Sequence, residues 1–473
     1  MMNEDVYRAR ARAWAESRND LSLPGKKVLM VGMARSGVAA AEMLCREGAL
    51  VTVTDPKTAE ALGERLAPLA GMPILWRLGE DGTEAVRGQE MVVMSPGVPP
   101  DVPVARAARA AGIPVTGELE VAARLLKSEL MAVTGTNGKT TTVTLLGLML
   151  ENAGIKAFVA GNVGYPLSAA ALESVWNDVT VAEVSSFQLE TTVSFHPFAA
   201  AVLNISEDHL NRHGTMENYI ALKRHIFDEQ TEKDFAVLNY DDPVCRAMAE
   251  GLKAKVLYFS RQEELEEGAF LRDGQMVLRL NGRETVVCAR KDVYIPGPHN
   301  TENALAAMLM AAVRGVPAEA MAQALRTFRG VEHRIEFVRE LDGVRYINDS
   351  KGTNVDSTVK AVLSMERPTA MILGGFDKHA DFGPLTREIK ASPFIRHCVL
   401  TGHTAPKIEA ALLDAGFTEI THAGSLGEAV EKCRALSADG WNVLFSPACA
   451  SFDAFKDYEQ RGRIFKQIVN ELQ

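Results

Sequence analysis

A chain of 473 residues, 47% hydrophobic and 24% charged, holds material for about three packed domains at roughly 150 residues each. The formal net charge of −10 without any basic run argues against nucleic acid as a main partner, and no apolar run reaches the ~20 residues of a membrane span. Six scattered cysteines with no CxxC pair disfavour a disulfide frame or a zinc centre and suit a reducing cytoplasm.

Residues 1–22 carry charge throughout and lack an apolar core, so they predict a surface helix or frayed extension rather than a signal peptide. Lys27–Met33 reads as a strand, Ser36–Glu47 as a helix and Leu50–Thr54 as a second strand ending in Asp55. This βαβ unit turns at Gly32-Met-Ala-Arg-Ser-Gly37, a dinucleotide fingerprint without its middle glycine. NAD is therefore a weak fit, whereas the nucleotide-diphosphate end of a larger substrate is compatible. Met91–Met94 is a further strand, Ser95–Pro100 (SPGVPP) a rigid loop at its C-terminal end, and the first domain is expected to end near Gly117.

Leu130–Thr142, LMAVTGTNGKTTT, combines a buried-strand pattern, Gly135 and Gly138 around Thr136 and Asn137, and then Lys139, Thr140 and Thr141 opening a helix. Backbone N–H groups of such a turn cradle phosphate, the lysine neutralises β/γ charge and the Thr140 hydroxyl can ligate Mg²⁺. Only two residues separate the glycines where the usual P-loop has four, so the generic pattern fits imperfectly. Strands Asn177–Val184 and Ala199–Ile205 follow, ending in loops with Glu183, Asp208 and His209 beside the phosphate loop. Lys223 lies on a helix over Tyr219–Phe227, where a lone lysine is ordinarily solvated or snorkelling.

Val256–Tyr294 reads as a small antiparallel insert, and Asn300 and Asn303 at a helix start could both face an adenine edge, Asn300 alternatively capping the helix. Gly330–Arg334 links into a third domain. There, strands Val344–Ile347, Thr369–Leu373 and Asn442–Phe445 each end in a polar loop, which would bring Lys351, Lys378 and Ser451 to one anion-binding crevice.

Taken together, GTNGKTTT, VAEVSSFQLE, NISEDHLNRHG, PGPHNTENA, EHRIE, INDSKGTN, GGFDK and SPACASFDAFKDYEQRG resemble the Mur ligases, the last with SSFQLE pointing to their D-glutamate-adding branch. The resemblance runs from about residue 25 to the end. It implies an α/β fold of three domains, Rossmann-like N-terminal and C-terminal domains flanking a central P-loop ATPase-type mononucleotide-binding domain. The expected boundaries are 1–117 for UDP (1–22 being the extension), 118–330 for ATP and 331–473 for the amino acid.

By the same resemblance, Gly135, Thr136, Asn137, Gly138, Lys139, Thr140, Thr141, Asn300, Asn303, Arg334 and Asp349 would bind ATP. Two Mg²⁺ ions would involve Thr140, Glu183, His209 and Lys223 as a carbamate, with Lys139, Glu183, His209 and Lys223 as the catalytic set. The UDP-sugar would meet Arg35, Ser36, Asp55, Ser95, Asn162 and Ser185, and D-glutamate Lys351, Thr353, Lys378, Ser451 and Phe452. The implied reaction joins D-glutamate to UDP-N-acetylmuramoyl-L-alanine at the expense of ATP, through an acyl phosphate, in peptidoglycan precursor synthesis. A cytoplasmic monomer that closes on its substrates is expected. No protein nucleophile is needed, and no Ser–His or Cys–His pair stands out.

Overall fold

The computed structural model describes residues 21–376 and 380–473. The extension expected over residues 1–22 therefore lies, up to residue 20, outside the described residues, as does Lys378. Two compact units emerge: the chain through Asp292 with Glu302–Arg326, and Val293–Thr301 with Thr327–Gln473.

In the first unit, a five-stranded parallel sheet has the order β3-β2-β1-β4-β5, formed by β1 (Lys27–Val31), β2 (Leu50–Asp55), β3 (Ile74–Leu78), β4 (Met91–Met94) and β5 (Val115–Gly117). The β1 and β4 runs are apolar on both faces because helices cover them, notably α1 (Arg35–Arg46), whose Val38, Ala41 and Leu44 are buried.

The same unit holds a nine-stranded sheet. Its parallel part contains β6 (Glu129–Thr134), β7 (Ala157–Gly161), β8 (Val179–Glu183), β9 (Ala199–Val202), β10 (Phe235–Asn239) and β11 (Lys255–Ser260). The sheet continues through β12 (Gly268–Arg272), β13 (Gln275–Leu280) and β14 (Arg283–Ala289), in the overall order β14-β13-β12-β11-β10-β9-β6-β8-β7. Here the structure corrects the sequence reading. Lys255–Ser260 pairs parallel to β10 and β12 parallel to β11, so the expected antiparallel pairing is confined to β12–β13 and β13–β14, and the segment extends the main sheet instead of forming a separate insert.

One apolar cluster runs through both sheets, joining Met30, Leu44 and Leu119 to Leu130, Ala182 and Phe227. Two buried carboxylates tie the same seam. Glu118 accepts from the Ser168 backbone N–H and hydroxyl, and Glu120 accepts from the N–H groups of Val193 and Ser194. Burial pushes the Glu118 carboxyl up from its ordinary range.

The second unit is built on a six-stranded sheet, β15-β16-β20-β17-β18-β19, in which only β15 (Glu336–Leu341) is antiparallel. Its other strands are β16 (Val344–Asn348), β17 (Thr369–Leu373), β18 (Ile395–Leu400), β19 (Ile420–His422) and β20 (Asn442–Phe445). With β16, β20 and β17 adjacent and parallel, the three loops that leave their C-terminal ends are neighbours.

Candidate active site

In the first unit the phosphate loop joins β6 to α2 (Lys139–Asn152). Gly138 has φ +87°, and a Cβ there would lie 2.2 Å from Asn303 Oδ1, so only glycine fits against that amide. Thr136 N–H donates to the Asn204 carbonyl at 2.9 Å, and the Asn204 side chain clamps Asn137 twice, accepting from its N–H at 2.9 Å and donating to its carbonyl at 3.1 Å. The Asn204 clamp was missed in the sequence; its only signal there is a polar residue at the end of an apolar strand.

Thr140 Oγ1 donates to Glu183 Oε2 at 2.7 Å, and Asn162 Nδ2 donates to Glu183 Oε1 at 2.9 Å. The expected metal ligand and sugar-nucleotide contact thus share one buried carboxylate. Thr141 is buried alongside. The ammonium of Lys139 donates to the carbonyls of Gly135 and Thr136, both at 2.9 Å. Lys223, placed on a solvated helix face by spacing alone, is instead 2% exposed, with its Nζ 2.9 Å from the Gly135 carbonyl. Burial, then the nearby Lys139 charge, holds its pKa well below the ordinary lysine value.

His209 has φ +54° and lies exposed, its ring 4.8 Å from that of Phe187. Ser185 uses its hydroxyl in a capping box with Gln188. A buried Ser–His contact that the sequence does not reveal is present: Ser186 Oγ is 3.0 Å from His213 Nε2, and His213 Nδ1 is 3.2 Å from Glu190, which Arg212 also engages at 2.6 Å. The partners are 23 and 27 residues from His213 and both Ser186 and His213 are buried, so the hydroxyl braces two short helices, Ser186–Leu189 and Leu210–His213, and is not presented to a substrate.

At the first sheet, Arg35 is exposed at the start of α1 with Ser36 beside it, and Ser95 is buried with its N–H on the Val31 carbonyl. The Asp55 carboxylate accepts from Met33 N–H at 2.7 Å and from Lys57 N–H at 2.9 Å. It shapes the turn that the sequence assigned to nucleotide.

In the second unit, the Asn300 amide donates to the Pro296 carbonyl at 2.7 Å from inside the helix that begins at Pro298, which is not the N-cap left open in the sequence. Asp349 is buried, accepting from Ile335 N–H at 3.1 Å and Ser446 Oγ at 2.6 Å, and burial pushes its carboxyl up to about 6 against the pull of Arg334. Arg334 Nε is buried without a hydrogen-bond partner among the described residues. Such an orphaned guanidinium donor suits an anion.

Lys351 and Thr353 share the loop after β16, with the Lys351 ammonium 5.5 Å from the Tyr458 ring centroid. Ser451 is buried in the loop after β20, and Phe452 is 65% exposed with its ring near Phe376. Phe376 N–H donates to the Ala450 carbonyl at 2.9 Å and Gly374 N–H to that of Pro447, so the loops after β17 and β20 are stitched together.

Among the described residues no three His, Cys, Asp or Glu side chains gather to hold a metal by themselves. The oxygens of Thr140 and Glu183 still fit a hard divalent cation of the Mg²⁺ kind, which ordinarily takes one or two protein carboxylates and completes its shell with water and phosphate.

Comparison with known proteins agrees with this geometry. The sequence models of the Mur ligase MurD-like N-terminal domain, the Mur ligase middle domain and the Mur ligase glutamate ligase domain match residues 26–117, 133–311 and 333–449. The chain is 44% identical to a UDP-N-acetylmuramoylalanine--D-glutamate ligase of Thermoanaerobacter pseudethanolicus, over 96% of this chain and 100% of that one. A Pelotomaculum thermopropionicum protein of the same name is 46% identical over 94% and 98%. Among solved structures, a UDP-N-acetylmuramate-alanine ligase from Thermotoga maritima aligns over 94% of this chain and 99% of its own, with TM-score 0.59 and 20% identity. A pseudomurein peptide ligase from Methanothermus fervidus aligns over 95% and 100%, with TM-score 0.60 and 17% identity.

Proposed function

Since the chain belongs to the Mur ligase family, we propose that it is an ATP-dependent amide ligase adding D-glutamate to UDP-N-acetylmuramoyl-L-alanine in peptidoglycan precursor synthesis. The observation that carries the choice of amine is the loop set after β16, β17 and β20, in a chain 44–46% identical along nearly its whole length to D-glutamate ligases. We assign residues 1–117 to UDP, 118–330 to ATP and 331–473 to the amino acid.

A carboxylate and an amine do not condense in water, so the carboxylate must first gain a leaving group. Its oxygen attacks the γ-phosphorus of ATP, ADP departs, and an acyl phosphate remains. The neutral amine of D-glutamate then adds to the acyl carbon, loses its proton, and the tetrahedral intermediate expels phosphate. Lys139 and the phosphate-loop N–H groups hold the transferring phosphoryl group, with Arg334 reaching phosphate and Asp349 the ribose. Asn300 and Asn303 serve the adenine end.

Thr140, Glu183 and His209 would hold Mg²⁺, which supplies charge neutralisation on the phosphates. Lys223, whose pKa burial holds well below the ordinary lysine value, can add to CO₂ with loss of a proton, and as a carbamate it would offer oxygens to a second ion. Lys351, Thr353, Lys378, Ser451 and Phe452 receive D-glutamate, while Arg35, Ser36, Asp55, Ser95, Asn162 and Ser185 receive the UDP-sugar. Positioning of this kind can supply on the order of 7–11 kcal/mol without covalent catalysis.

The test is phosphate release with ATP, Mg²⁺ and UDP-N-acetylmuramoyl-L-alanine, comparing D-glutamate with L-glutamate, L-lysine and meso-diaminopimelate. Release dependent on D-glutamate, with a product heavier by one glutamyl residue, is expected; release driven by another amine overturns the assignment.

A further inference from the structure

The helix α3 (Tyr458–Glu471) carries Arg461, a residue with no assigned role and a buried guanidinium. Its Nε donates to Ser350 Oγ at 3.1 Å, Nη2 to the Ser350 carbonyl at 2.8 Å, and Nη1 to the carbonyls of Cys449 and Ala450, both at 3.1 Å. Ser350 immediately precedes Lys351, and Ala450 immediately precedes Ser451. The Ala450 carbonyl also accepts from Phe376, so the loop after β17 hangs on the same hub. A Cβ on Gly375 would lie 3.2 Å from Arg461 Nη1 and 2.4 Å from the Ala450 oxygen, which shows how closely that loop is laid on it.

The loop after β20 needs such restraint, because Ala448 is held at φ +59°, a conformation that a residue with a Cβ rarely adopts unaided. Among the described residues no carboxylate lies within ion-pair distance of Arg461, and Asp453 and Asp349 act on its charge only from farther off. Carbonyl dipoles offset a full buried charge only in part, and guanidinium is the side chain that best satisfies four converging acceptors while keeping that charge.

We infer that Arg461 is the positioning residue of the amino-acid site: it holds the loops carrying Lys351 and Ser451 in register and sets a fixed positive charge beneath them, so that the site selects an amine bearing a second carboxylate. This rests on the reading of these loops as the D-glutamate site. The reacting amine and the α-carboxyl are common to all amino acids; the distal carboxylate is what a fixed cation can distinguish from an amide of the same shape.

The experiment compares kcat/KM for D-glutamate and D-glutamine in the wild type, Arg461→Lys and Arg461→Met, with melting temperatures alongside. Arg461→Met is expected to narrow the preference for D-glutamate by about tenfold, whereas Arg461→Lys keeps most of the preference and raises KM for both amines together. An unchanged preference in a folded Arg461→Met enzyme overturns the proposal. Should that variant not fold, wild-type KM values in Arg461→Lys overturn it equally. Wild-type enzyme that turns over another amine but not D-glutamate removes the underlying reading instead, so the two failures are distinguishable.

Discussion

Lys139 and Lys223 donate to one acceptor, the carbonyl of Gly135, each at 2.9 Å. Burial lowers the pKa of Lys223, and repulsion from the Lys139 charge on the same carbonyl lowers it further. The lowered pKa favours the neutral amine, with the lone pair that carbamylation requires. Protein equilibrated with ¹³C-bicarbonate should show a carbamate carbon signal that Lys223→Ala lacks. The same variant should make no acyl phosphate yet bind the UDP-sugar nearly as tightly; near-normal turnover would remove the carbamate role.

Gly138→Ala combines a left-handed backbone with a clash against Asn303 Oδ1. Strain of roughly 1–3 kcal/mol should raise the KM for ATP about ten- to hundredfold. The KM for D-glutamate, which the proposed assignment binds elsewhere, should hardly move, and steady-state kinetics with each substrate varied in turn decide this.

The Asp349 carboxyl is pushed up to about 6 from an ordinary 3.8, so the folded chain binds its proton more tightly than the unfolded chain. Stability from this group is fully present below about 3.8 and is lost as pH rises through about 6, an effect on the order of 3 kcal/mol. Asp349→Asn cannot ionise. Its melting temperature, relative to wild type, should therefore climb between pH 4 and pH 7; a flat difference would show that the carboxyl ionises normally.

Ser451→Ala should raise the KM for D-glutamate by about tenfold or more, the worth of one hydrogen bond to a charged group, and leave the KM for ATP unchanged. An effect confined to ATP would move Ser451 to another site.

Much of the fold could be read from the chain because buried parallel strands are short apolar runs with clear ends. Met91–Met94, Thr369–Leu373 and Asn442–Phe445 fall on β4, β17 and β20 to the residue. The phosphate loop was legible because only glycine tolerates its backbone. What escaped was long-range pairing of ordinary residues. Arg461 within YEQRG looks like a helix-surface arginine until two distant loops are folded over it. The Ser186–His213–Glu190 chain is invisible while its members are counted along the sequence. Lys223 was misread on spacing alone because helical position reports a face and not what covers that face; the family resemblance, not periodicity, singled it out. The β11–β12 pairing was missed because alternation indicates a strand without giving its direction.

The seam closed by Glu118 and Glu120 makes the first two sheets a single body with one continuous core. On the proposed assignment, with the nucleotide held at the first sheet and the reacting end at the phosphate loop, that body would serve as a ruler. A precursor one residue shorter or longer would still find the nucleotide grip, but its carboxylate would fall short of the γ-phosphate or overshoot it. The order in which residues join the growing peptide would then be enforced by a span.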